Sequence, residues 1–165
     1  MPLTFVQTPF GDTIIKGTNT PENHCYLLQF DGLCIPNPGV ATAGAILWSP
    51  GVPRTVAIKR GEFIGQGTNN IAEYTGLLIG VQAAADFGVK NILIQGDSAL
   101  VIQQVIGNWK VNNEALRVIH TEIRRILLDR FDFVALKHVV RALNVDADQI
   151  TNDVYKTKKS FYKVV

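Results

Sequence analysis

Four carboxylates stand where predicted strands end or predicted helices begin. Asp31 closes the apolar run "YLLQF", and Asp97 closes the apolar run "NILIQG". Glu73 and Asp148 lie in the expected first turns of two helices. In an α/β sheet, strand ends and helix starts gather at one edge, so we expect the four acids to meet there.

Such a meeting of acids favours a metal site. Carboxylates a few ångströms apart raise each other's pKa, and a divalent cation removes the repulsion. Oxygen ligands without Cys or His favour Mg²⁺, with Mn²⁺ as a substitute. Two such ions about 4 Å apart are the usual arrangement for phosphodiester cleavage. We therefore expect two Mg²⁺ ions, held by Asp31, Glu73, Asp97 and Asp148.

Each acid taken alone also has a structural explanation. Glu73 and Asp148 suit the positive end of a helix dipole. Asp31 before Gly32 is typical of a turn, and Asp97 before Ser98 could cap the next helix. Only the four together favour the metal site.

The pattern of apolar residues predicts the elements that carry the acids. Three strands, "CYLLQFD", "AGAILWS" and "TVAIKR", come first, and the glycine-rich "GEFIGQGTNN" is expected to be a connection. Next comes a helix capped by Asn69 or Asn70 and ended by Gly88, which leads to the strand "KNILIQGD". Two helices, the strand "DFVALKHV" and a last helix capped by Asn144 complete the prediction. The prediction is an α/β fold with a five-stranded mixed sheet, its first three strands antiparallel, flanked by helices.

Length and composition set wider bounds. The chain has 165 residues, 47% of them hydrophobic, and a net charge of +2. We divide it into an extension at 1–24, with a hairpin around Phe10–Thr13, a domain at 25–155, and a basic, mobile tail at 156–165. Cys25 and Cys34 are predicted to be unpaired, and the sequence shows neither a signal peptide nor an apolar run of membrane length. We therefore expect an intracellular protein of the cytoplasm or of the nucleus or nucleoid, with no membrane partner.

Four segments, in order, resemble the type 1 ribonuclease H family. "FDGLCIPNPGVATAGAILW" is similar to that family's first two strands, and "GTNNIAEYTGLLIGVQAA" to its "TNNxAEYxAL" helix. "ILIQGDSALVIQQVIG" resembles its "GDSxLVxxQ" segment, and "KHVVRALNVDADQITN" its "HVPRxxNxxADxLAN" ending. All four together are specific, and they span roughly residues 26–155.

The resemblance implies roles for individual residues. Asp31 matches the acid that contacts both ions, Glu73 and Asp97 hold the leaving-group ion, and Asp148 holds the nucleophile-side ion. His138 matches a histidine thought to assist proton transfer and product release, although as a strand residue it could equally be a buried structural histidine. The implied substrate is an RNA/DNA hybrid, whose RNA strand is hydrolysed to 3′-hydroxyl and 5′-phosphate ends.

The resemblance also implies substrate contacts. Short amides and hydroxyls can read the 2′-hydroxyls that distinguish RNA from DNA, and a helix start can bind phosphate. Helix capping and solvated helix faces are the alternative explanations. The expected nucleic-acid-binding residues are Gly32, Asn37, Thr68, Asn69, Ser98 and Gln103.

The chain departs from the family pattern at three positions: Leu33 replaces a small polar residue, Val140 a proline and Thr151 an alanine. The segment "GNWKVNNEAL" leaves no room for the extra helix of members with a basic protrusion, so the chain resembles the compact branch. The tail lysines are then one candidate for gripping the hybrid, and a monomer is expected.

Two other functions stay open at this point. One is a non-catalytic module that binds hybrid or RNA, which would gain nothing from four clustered acids beside phosphates. The other is a related nuclease that acts on double-stranded RNA or branched DNA.

Overall fold

The structure, a computed structural model, describes residues 6–7 and 11–165. Its strands are β1 (Val6–Gln7), β2 (Thr13–Lys16), β3 (Tyr26–Ile35), β4 (Gly39–Trp48), β5 (Val56–Gly67), β6 (Asn91–Gly96), β7 (Phe133–His138) and β8 (Phe161–Val164). Its α-helices are α1 (Asn69–Asp86), α2 (Ala99–Ile106), α3 (Glu114–Arg130) and α4 (Val145–Thr157). Two short 3₁₀ turns lie at Glu22–His24 and Arg141–Leu143.

The strands form one mixed sheet in the order β1-β2-β7-β6-β3-β4-β5-β8. Strands β3, β4 and β5 pair antiparallel, whereas β6 runs parallel to β3 and β7 runs parallel to β6. The predicted α/β class and the antiparallel arrangement of the first three strands are therefore confirmed. The parallel pairs follow from the helical crossovers, because a connection through a helix returns the chain to the same edge of the sheet.

The count of five strands is wrong, because both ends of the sheet are extended within the described residues. The hairpin β1–β2 adds antiparallel to β7, and β8 adds antiparallel to β5. The tail that was expected to be mobile thus carries an edge strand. Its backbone pairs with the free edge of β5, which would otherwise expose unpaired N–H and C=O groups.

Strand β5 is also longer than predicted, because the glycine-rich segment after Arg60 continues the ladder. Its pairing with β4 runs from Trp48–Val56 to Gly39–Gly67, with a register shift opposite Ala41 and Thr42. Gly65, at φ +86°, occupies the backbone region that accommodates this irregularity. The long ladder brings the start of α1 beside the turn between β3 and β4.

Helices cover both faces of the sheet. Helix α1 packs on β3 and β4 together with α2 and α3, and the largest apolar cluster fills this layer. The apolar residues buried in this layer include Tyr74, Leu77, Val81, Ala84 and Ala85 of α1 and Leu116, Ile123, Ile126 and Leu127 of α3. Helix α4 packs on the opposite face through Ala147 and Ile150 against Ile46. Among the helices described, none combines the length and apolar character needed to cross a bilayer.

The helix caps differ in two places from those predicted. Thr68, rather than Asn69 or Asn70, caps α1, since its hydroxyl accepts a hydrogen bond from the Ile71 amide at 3.2 Å. Ser98 caps α2, since its hydroxyl accepts from the Val101 backbone N–H, and Gly88 follows the end of α1 at φ +89°. The Asn144 side chain makes no capping bond to α4, although Asn144 does precede that helix.

Candidate metal centre

Three of the predicted acids converge where β6 ends, and Asp31 lies in the middle of β3 and not at a strand end as predicted. Asp31 lies in β3, Glu73 in α1, and Asp97 follows β6, which is the parallel neighbour of β3. One carboxylate oxygen of each lies within 4.8 Å of the other two. The close contact of α1 with β3 at Gly32 places Glu73 there, because a side chain at residue 32 would collide with the backbone of Ala72 and Glu73.

Glu73 lies in the second turn of α1, because the helix begins at Asn69. It is 7% exposed, and within the described part of the chain its Oε2 atom is buried without a hydrogen-bond partner. A favourable interaction with the helix dipole does not explain a buried, unpaired carboxylate oxygen. Its position is therefore costly unless a cation or a proton compensates it.

Burial and neighbouring charges raise the pKa values of two of these acids, Asp31 and Glu73. Burial, then the charge of Asp97 and contact with Asp148, raise the pKa of Asp31 to about 8. Burial, then the charges of Asp31 and Asp97, raise the pKa of Glu73 to about 10. The metal-free site thus holds protons near neutral pH, and a hard divalent cation with oxygen ligands would replace them.

Asp148 lies at the margin of this group. It is in the first turn of α4 and close enough to Asp31 to influence its ionisation, but the compact group of possible ligands does not include it. Its Oδ1 lies 3.8 Å from Nη2 of the exposed Arg141. All four acids and Arg141 line one cleft of about 220 Å³, together with Gly32, Leu33, Cys34 and Asn69.

His138 is exposed and lies at the end of β7, whereas the preceding inward residues Val134 and Leu136 are buried. One ring nitrogen, Nε2, lies 3.2 Å from the backbone oxygen of Asp97. The reading of His138 as a buried core histidine is therefore wrong. Its catalytic role stays a prediction, and its position beside Asp97 is compatible with that role.

The expected substrate-binding residues fall into two groups. Asn37, Thr68 and Asn69 lie together, because the Asn37 amide oxygen accepts from the Asn69 backbone N–H at 3.0 Å. They line a depression of about 310 Å³ next to the start of α3. Ser98 caps α2, and the Gln103 side chain accepts a hydrogen bond from Asn108, so both are engaged in local structure.

Sequence reasoning missed two residues near the acids. Arg141 lines the cleft, and Asn144 donates a hydrogen bond from Nδ2 to Asp97 Oδ1 at 3.4 Å. Both lie in the segment "VVRALNVDAD". They match the fixed arginine and asparagine of the family ending "HVPRxxNxxADxLAN", and that match is the signal that could have identified them, although helix-capping and long-range roles of asparagine look alike in sequence.

The three departures from the family pattern lie outside the acidic group. Leu33 lines the cleft, and Val140 is exposed. Thr151 is fully buried, where its hydroxyl donates to the Asp148 backbone oxygen at 2.7 Å and its own carbonyl accepts from Thr42. The hydroxyl that Thr151 has in place of the family's alanine thus finds its hydrogen-bond partner within the first half of α4.

Comparison with known proteins agrees with this geometry. A family model described as reverse transcriptase-like matches residues 29–154. Ribonuclease HI of Halobacterium salinarum is 43% identical over 130 residues, which are 79% of this chain and 62% of that protein. The crystal structure of RNase H1 from the same archaeon superposes with a TM-score of 0.73 at 36% identity, covering 80% of this chain and 98% of that one. The chain belongs to the type 1 ribonuclease H family.

Other members of the family match over the same region. The N-terminal RNase H domain of the bifunctional protein Rv2228c of Mycobacterium tuberculosis has a TM-score of 0.75 at 32% identity, covering 80% of this chain and 94% of that domain structure. LC11-RNase H1, in complex with an RNA/DNA hybrid, has a TM-score of 0.74 at 25% identity, covering 81% and 99%. The chain spans 62% of the length of the curated haloarchaeal relative and 34% of the length of Rv2228c.

Proposed function

We propose that this ribonuclease H family member hydrolyses the RNA strand of RNA/DNA hybrids with the help of divalent cations. The observation that carries the proposal is the convergence of Asp31, Glu73 and Asp97 within 4.8 Å, with an unpaired Glu73 oxygen and raised pKa values in the same group. A module that only binds nucleic acid gains nothing from such a cluster, because carboxylates repel phosphates.

The residues fit a divalent metal ion by the chemistry of their donors, which are all carboxylate oxygens. Asp31, Glu73 and Asp97 would hold a first ion, and Asp31 with Asp148 a second. When bound, the ions supply the charge that activates water and stabilises the oxygen leaving in phosphodiester hydrolysis. Mg²⁺ is the expected ion, with Mn²⁺ as a substitute.

The chain's own groups would orient the hybrid. Asn37 uses its amide oxygen for the Asn69 backbone, and its amide nitrogen can then donate to a ribose 2′-hydroxyl or a minor-groove edge. Thr68 and Asn69 start α1, where the positive end of the helix dipole favours phosphate. Gly32 lets the backbone pass close to the acids, and His138 beside Asp97 would assist proton transfer. Ser98 and Gln103 would contact the hybrid from helix α2, which follows Asp97.

The exposed lysines near the end of the chain are a further candidate for gripping the nucleic acid. Lys156 belongs to α4, Lys158 and Lys159 to the following turn, and Lys163 to β8. We expect a monomer, and the unpaired Cys25 and Cys34 favour a protein that works inside the cell.

The test is cleavage of a labelled RNA/DNA hybrid with Mg²⁺ or Mn²⁺, beside double-stranded RNA, branched DNA and duplex DNA. Asp31→Asn should lower the hybrid cleavage rate by about 10³-fold, since the ion's charge stabilisation is worth several kcal/mol. Asp146→Asn, an exposed acid in the same first turn as Asp148, is the matched control and should keep full activity.

Full activity in the Asp31→Asn protein would contradict the metal assignment. A folded wild-type protein that cuts none of the substrates would contradict the enzymatic function. If the protein prefers double-stranded RNA or branched DNA, that nucleic acid and not the hybrid is its substrate.

A further inference from the structure

Asn144 lies at the junction between the turn Arg141–Leu143 and helix α4. It is 1% exposed, although both of its neighbours in sequence are exposed. Its side chain therefore projects into the protein and not into the solvent that surrounds the turn.

Three hydrogen bonds connect Asn144 to three acid-bearing segments. Nδ2 donates to the backbone oxygen of Phe30, directly before Asp31, at 2.8 Å, and to Oδ1 of Asp97 at 3.4 Å. The Asn144 backbone oxygen accepts from the backbone N–H of Asp148 at 3.1 Å. One residue thus contacts the middle of β3, the segment just after β6 and the start of α4.

This arrangement is not explained by stability alone. The side chain does not cap α4, and its Oδ1 is buried with no hydrogen-bond partner among the residues described. A buried acceptor without a partner costs about 1–3 kcal/mol. An aspartate carboxylate has two oxygens and free rotation about its last bond, and a donor on one oxygen fixes the direction in which the carboxylate faces.

We propose that Asn144 is a positioning residue, which orients the Asp97 carboxylate toward Asp31 and Glu73 for cation binding and holds the start of α4 against the middle of β3. This inference rests on the proposed function. It adds a residue that binds neither ion nor substrate but sets how tightly the acids bind the cation.

Gln29 offers a matched control. It is 8% exposed, and its Nε2 donates to the Leu143 backbone oxygen and to Gln95 Oε1, each at 3.3 Å, while its Oε1 accepts from the indole of Trp48. Gln29 therefore holds the same turn, and no acid is among these partners. A variant at Gln29 disturbs the turn without disturbing Asp97.

The experiment compares Asn144→Leu, which keeps the volume and removes the donor, with Gln29→Met. Mn²⁺ affinity is measured by electron paramagnetic resonance without nucleic acid, and kcat and KM are measured on the hybrid. Asn144→Leu should bind Mn²⁺ about 10- to 100-fold more weakly and need correspondingly more metal for half-maximal kcat, with KM for the hybrid unchanged at saturating metal, whereas Gln29→Met stays within about twofold of wild type.

Wild-type Mn²⁺ affinity in folded Asn144→Leu overturns the proposal, as does an equal loss in both variants, which would assign the effect to the turn. A second measurement on the wild-type protein covers the case in which Asn144→Leu does not fold. In an NMR titration with Mg²⁺, the side-chain amide of Asn144 should shift with the ion's binding curve while that of Gln29 stays in place, and an unmoved Asn144 amide overturns the proposal. Failure of the proposed function looks different, since the wild-type protein itself would then neither bind Mn²⁺ nor cut the hybrid.

Discussion

Asp31 and Glu73 are buried beside one another, and their protonation couples the site to folding. Their pKa values of about 8 and about 10 exceed those of the unfolded chain, where both groups titrate near 4. The folded protein consequently binds more protons than the unfolded chain between about pH 4 and pH 10. Stability that is fully present below pH 4 is lost as the pH rises through this window.

We therefore predict that, in chelator, the unfolding free energy of the wild-type protein falls between pH 5 and pH 9. Asp31→Asn should be more stable than wild type by about 1–3 kcal/mol at pH 9 and nearly equal to it at pH 5, where Asp31 is already neutral. Urea unfolding at the two pH values measures both quantities.

The exposed Asp146 is the control for this prediction, since Asp146→Asn should bring no gain at pH 9. A variant at Asp31 that is less stable than wild type at pH 9 in chelator would show that the carboxylate is ionised and favourably solvated in the folded protein.

At the scale of elements, the packing of α1 on β3 sets the distance between Glu73 and Asp31. Glycines on both elements permit the approach: Gly32 faces the backbone of Ala72 and Glu73, and Gly76 faces the backbone oxygen of Asp31. A methyl group at either position would meet backbone, which cannot move aside as a side chain can. The sequence contains both glycines, but only the packed structure shows that Gly32 of β3 faces α1 and that Gly76 of α1 faces β3.

Gly76→Ala should thus destabilise the protein by about 1–3 kcal/mol and lower hybrid cleavage, because it pushes Asp31 away from Glu73. Gly80→Ala lies one turn along the same helix and is the matched control. Its methyl group would meet the end of the Leu28 side chain at 2.8 Å and the Ala45 methyl group at 3.0 Å, but no backbone atom as closely, and the strain is offset by up to about 1 kcal/mol of helix propensity.

Urea unfolding and hybrid cleavage at saturating Mg²⁺ distinguish the two variants. Equal losses of stability and activity in both would mean that the contact at Gly76 has no special part in placing the acids.

At the scale of the whole molecule, the segments outside the family pattern complete the sheet. The family model begins at residue 29 and ends at residue 154, yet β2 covers the edge of β7 and β8 covers the edge of β5. The guanidinium of Arg60 stacks on the Tyr162 ring at 4.7 Å, and the Phe63 amide donates to Ser160 Oγ at 2.8 Å. These contacts tie the last strand to the domain.

Removal of residues 161–165 should lower the unfolding free energy by about 1–3 kcal/mol, because a short ladder is lost whose bonds are each worth about 1 kcal/mol net. Urea unfolding measures the loss, and amide hydrogen exchange should show that β5 loses protection while β6 retains it. Tyr162→Ala, which keeps the backbone ladder, should lose only about 0.5–1 kcal/mol. Identical urea midpoints for the shortened and full chains would mean that β8 is not paired in solution.

The sequence by itself determined the α/β class, the pairing directions of the central strands and the four acids. These depend on local signals, namely the apolar period of each element and the acids that accompany it, and on a family pattern with fixed spacing. Only the tertiary structure decided that Asp31, Glu73 and Asp97 form the compact group while Asp148 lies at its margin, that Asn144 contacts three segments, and that the chain's last strand covers β5. Those facts depend on distances between residues far apart in the chain, and such distances follow from packing and backbone pairing, which no local pattern encodes.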